Sequence, residues 1–338
     1  MMLHRILFVA LACAGASLVW VGFVYRGDIR TARSRIAEGS NIASTRCGAI
    51  EYADVGSGPP ILAVHGTGGG FDAAMDLGQP FLNEGFRIVA PSRFGYLRTP
   101  LPLDASPAAQ ADAFTCLLDV LKIKRIAVIA ASAGAMSAMQ FALRHPDRCS
   151  ALILISPAAY SPPPAGLTRR GPPPLVLFLM KTTLRSDFLF WSVTRMPREF
   201  QFRSFLGTPP GDVPGASSKE QFAALQAVQH LLPISQRSKG MWNDSILATS
   251  IPRYDLEQNS VPTLLISAED DLYGAFRNAE YTAEYMPHAH LVPFATGGHI
   301  LLGHERQLHA KIVEFLRGQD SGSELEDGWS LPDKAANR

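Results

Sequence analysis

Neither sign of charge prevails in this chain: 31 Lys and Arg stand against 30 Asp and Glu, for a net charge of +1. There is no basic field to draw in nucleic acid. Cysteine is scarce as well, and the four present, Cys13, Cys47, Cys116 and Cys149, fit no metal-ligand spacing. Cys116 and Cys149 fall in apolar stretches, where a buried, inert thiol is the default expectation. The glycine-rich run at 65–70 lacks the lysine and following hydroxyl residue of a phosphate cradle, since Phe71 and Asp72 come next. No organic cofactor or metal is called for. What the chain does have is apolar material: 47% of its 338 residues are hydrophobic and only 18% charged, enough for a substantial core.

The first apolar block is N-terminal. Residues 6–25 carry no charge, and at ~1.5 Å per residue they reach ~30 Å, the thickness of a bilayer core. The first reading is a single-pass signal anchor, residues 1–26, with a lipid bilayer as partner. A cleaved signal peptide competes, because Arg5 precedes the run and Ala14-Gly15-Ala16 resembles a cleavage site, although cutting there leaves an apolar stub. Lipoprotein processing at Cys13 fits less well, since the apolar run continues past it. Arg26, Arg30, Arg33 and Arg35 outnumber Arg5 and favour a cytoplasmic domain, whereas a signal peptide implies a periplasmic or secreted one. Residues 27–48 read as a linker, and 318–338 as a polar, disordered tail.

Between these ends, strand-like runs at 49–55, 60–65, 87–90, 125–131, 150–155, 263–267 and 290–294 alternate with helical patterns. That rhythm predicts an α/β fold with a mostly parallel sheet covered by helices on both faces. The helix over 108–121 should place Gln110, Asp112 and Asp119 on its wet face. The rhythm stops for about a hundred residues, 158–258, which read as a helical lid because structureless loops of that length are uncommon. Helices are expected at 175–180, 188–193 and 222–232. Most lid aromatics (Phe188, Phe190, Trp191, Phe200, Phe202, Phe205 and Trp242) should pack internally, with some lining an apolar pocket. A second reading of the lid has it dock on lipid, with Arg169, Arg170, Lys181 and Arg185 on anionic head groups.

Chemistry concentrates at Ser132, where the buried run Ile-Ala-Val-Ile-Ala-Ala ends in Ser-Ala-Gly and a helical pattern begins. Small residues at Ala130 and Gly134 suit the sharp strand-to-helix turn of a nucleophile elbow. Helix capping by Ser132 is the plainer alternative. A serine hydroxyl needs a base and a group to orient that base. Downstream come the acids Glu269, Asp270 and Asp271 after one strand, and His299, flanked by Gly297 and Gly298, after another. His304 falls in the following helical pattern and reads as support for the site or as a cap on that helix. His65 reads as structural, holding the glycine-rich loop. That loop would supply a backbone donor to an oxyanion hole: Thr67, with Gly68 as the alternative, paired with Ala133.

Residues 49–316 resemble the serine esterase and lipase-like α/β-hydrolases, through His-Gly-Thr-Gly-Gly-Gly at 65–70, Ala-Ala-Ser-Ala-Gly at 130–134, Ala-Glu-Asp-Asp at 268–271 and Gly-Gly-His at 297–299. They also resemble bacterial members with an HGxGGG loop followed by Ser-Arg-Phe-Gly-Tyr, here 92–96. The hydrolase domain is thus expected over 49–317. The resemblance implies a Ser132, His299, Asp271 triad, the acid falling three residues after Ala268, with Asp270 second. It implies a carboxylesterase-like serine hydrolase acting on an apolar small-molecule ester. Carbon–carbon bond hydrolysis and perhydrolase or haloperoxidase-like activity would use the same triad. A catalytically silent, membrane-tethered binding protein is the reading of another class. Arg93, Tyr96 and Arg98 read either as ligands for a substrate carboxylate or as pins for their loop.

Overall fold

The computed structural model describes residues 2–163, 173–210 and 216–320. Eight strands, β1 (Asn41–Thr45), β2 (Gly48–Val55), β3 (Pro60–Val64), β4 (Arg87–Pro91), β5 (Ile126–Ala131), β6 (Cys149–Ile155), β7 (Thr263–Ala268) and β8 (Ala289–Phe294), lie in the order β1-β2-β4-β3-β5-β6-β7-β8. β1 and β2 are antiparallel to their neighbours, and every pairing from β4 to β8 is parallel. The central strands read as unbroken apolar runs because both of their faces are covered.

Alternate residues of each strand feed two cores. Val128, Ala130, Leu152 and Leu154 face α3 (Pro107–Val120), α4 (Gly134–Arg144) and α10 (Ala275–Tyr285), packing with Phe114, Leu117 and Phe141. Ala127, Ile129, Ile153 and Ile155 face α2 (Phe71–Gly78) and α11 (Glu305–Asp320), packing with Phe71, Ile312 and Phe315. Period-two strands sorting their side chains between two helical layers is the physical content of the expected α/β class.

Four expectations are corrected. Residues 27–48 are no linker: α1 (Met2–Ala37) continues unbroken to Ala37, and Asn41–Thr45 forms the edge strand β1. Gln110 is buried rather than wet, because its Oε1 accepts the Phe94 amide at 2.6 Å. Cys116 is not an inert thiol: it is disulfide-bonded to Cys47, tying the β1–β2 hairpin end to α3. Cys149 does match its expectation, being buried with its thiol pKa pushed up to about 12 by burial. Helix α11 runs to Asp320, so the tail begins later than 318, and residues 321–338 lie outside the described residues.

The lid folds as α5 (Pro174–Arg185), α6 (Asp187–Val193), α7 (Arg198–Phe205), α8 (Ser218–Gln229) and α9 (Ser238–Thr249). Its aromatics divide as packing demands: Phe190, Trp191 and Phe202 are buried, while Phe188 and Phe200 are exposed. The lid also packs on α1. Ile29 and Ala32 pack with Phe190, Trp191, Leu232 and Ile234, and Asp28 accepts the Trp191 Nε1–H at 2.7 Å and pairs with Arg195.

Candidate active site

Ser132 stands at the end of β5 with φ +49°, a left-handed conformation that costs a non-glycine residue of order 1 kcal/mol or more and persists only where its surroundings enforce it. They do so through the backbone. The Ser132 amide donates to Ile155 O at 2.9 Å, and the Ser132 carbonyl accepts the amides of Ala135 and Ala158, each at 3.0 Å. A Cβ on Gly134 would lie 2.7 Å from the carbonyl oxygens of both Val64 and His65, so only glycine fits where α4 leaves the turn. A Cβ on Gly66 would come within 3.1 Å of the Ser132 Cβ, which places the glycine-rich loop directly against the elbow.

The parallel strands carry the other two residues to the same edge. After β7, Asp271 accepts the Tyr273 amide on Oδ1 at 2.7 Å, and its Oδ2 lies 2.7 Å from His299 Nδ1. The Asp271 carboxylate is fully buried, and the imidazole is 12% exposed. The neighbouring Asp270 takes a different part: its oxygens accept the amides of Gly298 at 2.8 Å and Gly297 at 3.3 Å, fixing the turn that presents His299. Among the described residues no hydrogen bond joins the Ser132 hydroxyl to His299; contacts of this kind tighten when substrate binds. His304 stands just before α11 rather than within it, its carbonyl accepting the Leu308 amide at 2.9 Å and its ring 4.5 Å from that of Phe294.

A lid residue closes this half of the site. The Gly207 carbonyl accepts the amides of both Leu272 at 2.9 Å and His299 at 3.2 Å. At φ +53°, with Tyr273 and His299 under 3 Å from any Cβ, position 207 admits only glycine. Tyr273 stacks edge-on against His299 at 4.9 Å, and burial, aided by the Asp271 charge, pushes its hydroxyl pKa up to about 12.

On the loop side, His65 is structural, as read. Its Nε2 accepts the Arg93 amide at 3.0 Å and its Nδ1 donates to Gly66 O at 2.7 Å. Burial and the Arg93 charge hold its imidazole well below the usual range, so the ring stays neutral. Arg93 donates to both Asp244 oxygens, at 2.9 and 2.6 Å, and to His65 O. Asp244 also accepts from Tyr96 Oη at 2.5 Å and Thr67 Oγ1 at 3.1 Å. Arg93 and Tyr96 therefore pin the loop, and the lid residue Asp244, which sequence reasoning missed, is what they pin it to. Arg98 does the same further out, on the buried Glu51 at 2.6 Å. Gly68 spends its amide on Tyr96 Oη at 3.3 Å, whereas the Thr67 and Ala133 amides have no acceptor among the described residues.

A second ionic knot holds the loop's far end. Arg237, fully buried, donates to Gly69 O at 2.6 Å and to both Asp72 oxygens, and Arg35 of α1 reaches the same carboxylate. Burial alone would raise the Asp72 pKa; the hydrogen bond and charge of Arg237, with Arg35, outweigh it and hold the carboxyl below its ordinary value. A lowered folded pKa means stability present above the carboxylate range and lost as pH falls through it. Asp72→Asn is therefore expected to cost about 3 kcal/mol at neutral pH. In thermal melts across pH, its deficit against the parent chain should shrink below about pH 4; a deficit constant down to that range would refute the assignment.

Comparison with known proteins gives one family and scattered relatives. A profile described as alpha/beta hydrolase fold matches residues 59–305. An uncharacterized hydrolase of Bacillus subtilis, YcgS, is 40% identical over 110 residues, covering 32% of this chain and 38% of that protein. The cis-3-alkyl-4-alkyloxetan-2-one decarboxylase of Shewanella oneidensis is 24% identical over 270 residues, 75% of this chain and 80% of that one. The structure of an alpha/beta hydrolase fold protein from Nakamurella multipartita superposes with a TM-score of 0.63 at 25% identity, over 82% of this chain and 99% of that one. The chain spans little more than a third of the length of YcgS.

Proposed function

As a member of the α/β-hydrolase fold family, to which residues 59–305 assign it, the chain is a hydrolase, and we propose that it cleaves apolar carboxylic esters through Ser132, His299 and Asp271. The observation that carries this reading is the 2.7 Å Asp271–His299 pair on the sheet edge where the strained elbow presents Ser132. Ser132 Oγ attacks the substrate carbonyl carbon while His299 Nε2 takes its proton, and the buried Asp271 carboxylate orients the ring and stabilises the imidazolium. The oxyanion forms against the Thr67 and Ala133 amides. Collapse expels the alcohol, which takes the proton from His299; water then cleaves the acyl-enzyme by the same route.

Apolar substrates are favoured by what covers the loop. Leu231 Cδ2 lies 2.7 Å and Met241 Cε 3.8 Å from where a Gly68 side chain would begin, so aliphatic lid residues roof the oxyanion loop. The Shewanella relative, named for a dialkyl oxetanone, brings cyclic esters with alkyl arms into the same substrate class. We propose that the protein meets a membrane through the apolar first part of α1, since the helical span His4–Ala37 contains an 18-residue window with a mean hydropathy of 2.3. The Cys47–Cys116 bridge supports a domain on the oxidising side, and two of the arginines that argued otherwise are paired within the fold, Arg33 with Asp187 and Arg35 with Asp72.

A fluorophosphonate probe should label the full chain and fail to label Ser132→Ala, with p-nitrophenyl ester turnover disappearing in parallel and rising with acyl length in the parent. Absence of labelling in a folded sample would shift the reading to a silent binding protein on a hydrolase fold.

A further inference from the structure

The span and the lid are one body. Val21, Val24 and Tyr25, at the end of the uncharged run, pack against the buried cluster that holds Phe190 and Trp191 of α6 and that Leu184 of α5 also joins. Tyr25 meets the Phe188 ring at 5.2 Å and the Trp191 ring at 5.6 Å. Tyr and Trp at the end of a membrane-length helix sit at the level of the lipid head groups. Whatever adjoins Tyr25 is therefore held at that depth.

What adjoins it is apolar and uncovered. Phe188 and Leu189 are 43% and 40% exposed beside Tyr25. Leading up to Leu184, α5 presents Leu175, Val176, Leu177, Phe178, Leu179 and Met180, all exposed, Leu175 and Phe178 by about two thirds. Six consecutive exposed apolar residues make the first half of α5 apolar all round, a pattern foreign to a water-facing helix. Cations border the run: Lys181 lies over the Trp242 ring at 5.1 Å, and Arg185 and Lys239 line the adjoining cleft. Apolar bodies bordered by lysine and arginine suit the boundary between acyl chains and head groups. Arg169 and Arg170 lie outside the described residues.

We infer that the α5–α6 face of the lid lies in the interfacial layer of the bilayer that α1 enters, so that the occupant of this face is phospholipid. Continuity with α1 selects a bilayer over a protein partner, because the same helix that would cross the membrane forms the lid's packed side. The inference rests on the hydrolase reading only for its consequence: the lid that roofs the oxyanion loop with Leu231 and Met241 also touches lipid, so long-chain esters reach Ser132 from the membrane rather than from water.

The test uses the full chain in vesicles of phosphatidylcholine with phosphatidylglycerol, carrying the photoreactive residue benzoylphenylalanine in place of Phe178, Phe23 or Leu103. Cross-linking to lipid is expected at 178 and 23 and absent at 103, an exposed site on the β4–α3 connection. No lipid adduct at 178 alongside one at 23 would overturn the inference, as would no adduct at 23; protein adducts at 178 would assign the face to a partner chain. Turnover plays no part in this readout, so it stands apart from the fate of the esterase reading. In the same vesicles, Leu175→Ser with Phe178→Ser should lower hydrolysis of a vesicle-borne long-chain ester about tenfold while leaving soluble p-nitrophenyl acetate unchanged. An equal effect on both substrates would also count against it.

Discussion

Asp271→Asn is expected to lower kcat/KM by about 10⁴-fold, because on the proposed triad the amide cannot hold the His299 tautomer that would accept the Ser132 proton. The side chain volume is unchanged, and Oδ1 can go on accepting the Tyr273 amide, so the fold should survive. Asp270→Asn provides the contrast. That residue only accepts amides from Gly297 and Gly298, which an asparagine oxygen still does, and a loss of about tenfold or less is expected. Steady-state ester kinetics on the two variants decide the matter: an inverted ranking would make Asp270 the orienting acid.

The second large effect belongs to Asp244. Removing its carboxylate in Asp244→Ala strands the Arg93 guanidinium, 7% exposed, and deprives Tyr96 of the acceptor it shares with Thr67. Breaking one side of a buried ion pair costs about 3–5 kcal/mol. The Tyr96 hydroxyl, whose pKa is held well above its usual value by burial and by the Asp244 charge, stays a donor at all working pH and so needs an acceptor. Denaturant melts should show this loss, and because Thr67 is freed from the lid, kcat should fall about 100-fold with little change in KM. Asp112→Ala, which breaks the half-exposed pairs with Arg144 and His145, should cost about 1 kcal/mol or less by the same melts. Equal costs would show that Asp244 is not the keystone of the loop.

Much of this arrangement was legible beforehand because it follows local rules. Seven strands announced themselves in the sequence, β3 to β7 as apolar runs buried on both faces, and the elbow as a serine among small residues. β1 was hidden because Asn41–Thr45 is a polar edge strand whose partner, β2, only the fold supplies. The continuation of α1 through four arginines was hidden for a related reason: two of those charges are answered by Asp187 and Asp72, far away in sequence. Cys47 and Cys116 are 69 residues apart, a distance that carries no spacing signal. Nothing in the sequence marks out Asp244 among the lid charges, since what sets it apart is the converging of Arg93, Tyr96 and Thr67 upon it. The choice between Asp270 and Asp271 rested on a family spacing, and the reason behind it lies in three dimensions: one carboxylate faces an imidazole and the other a glycine turn.

The carbonyl of Gly207 gives the lid a further consequence. A single oxygen holds the backbone of the acid loop and of the base loop together, and Thr208 fills the space where a side chain on Gly298 would be. A lid that lifts at this strap cannot leave the Asp271–His299 arm undisturbed. On the proposed triad, opening and disarming would then be one motion: with the strap lifted, Ser132 would lack its base, and bulk water entering the cleft would find nothing able to activate it.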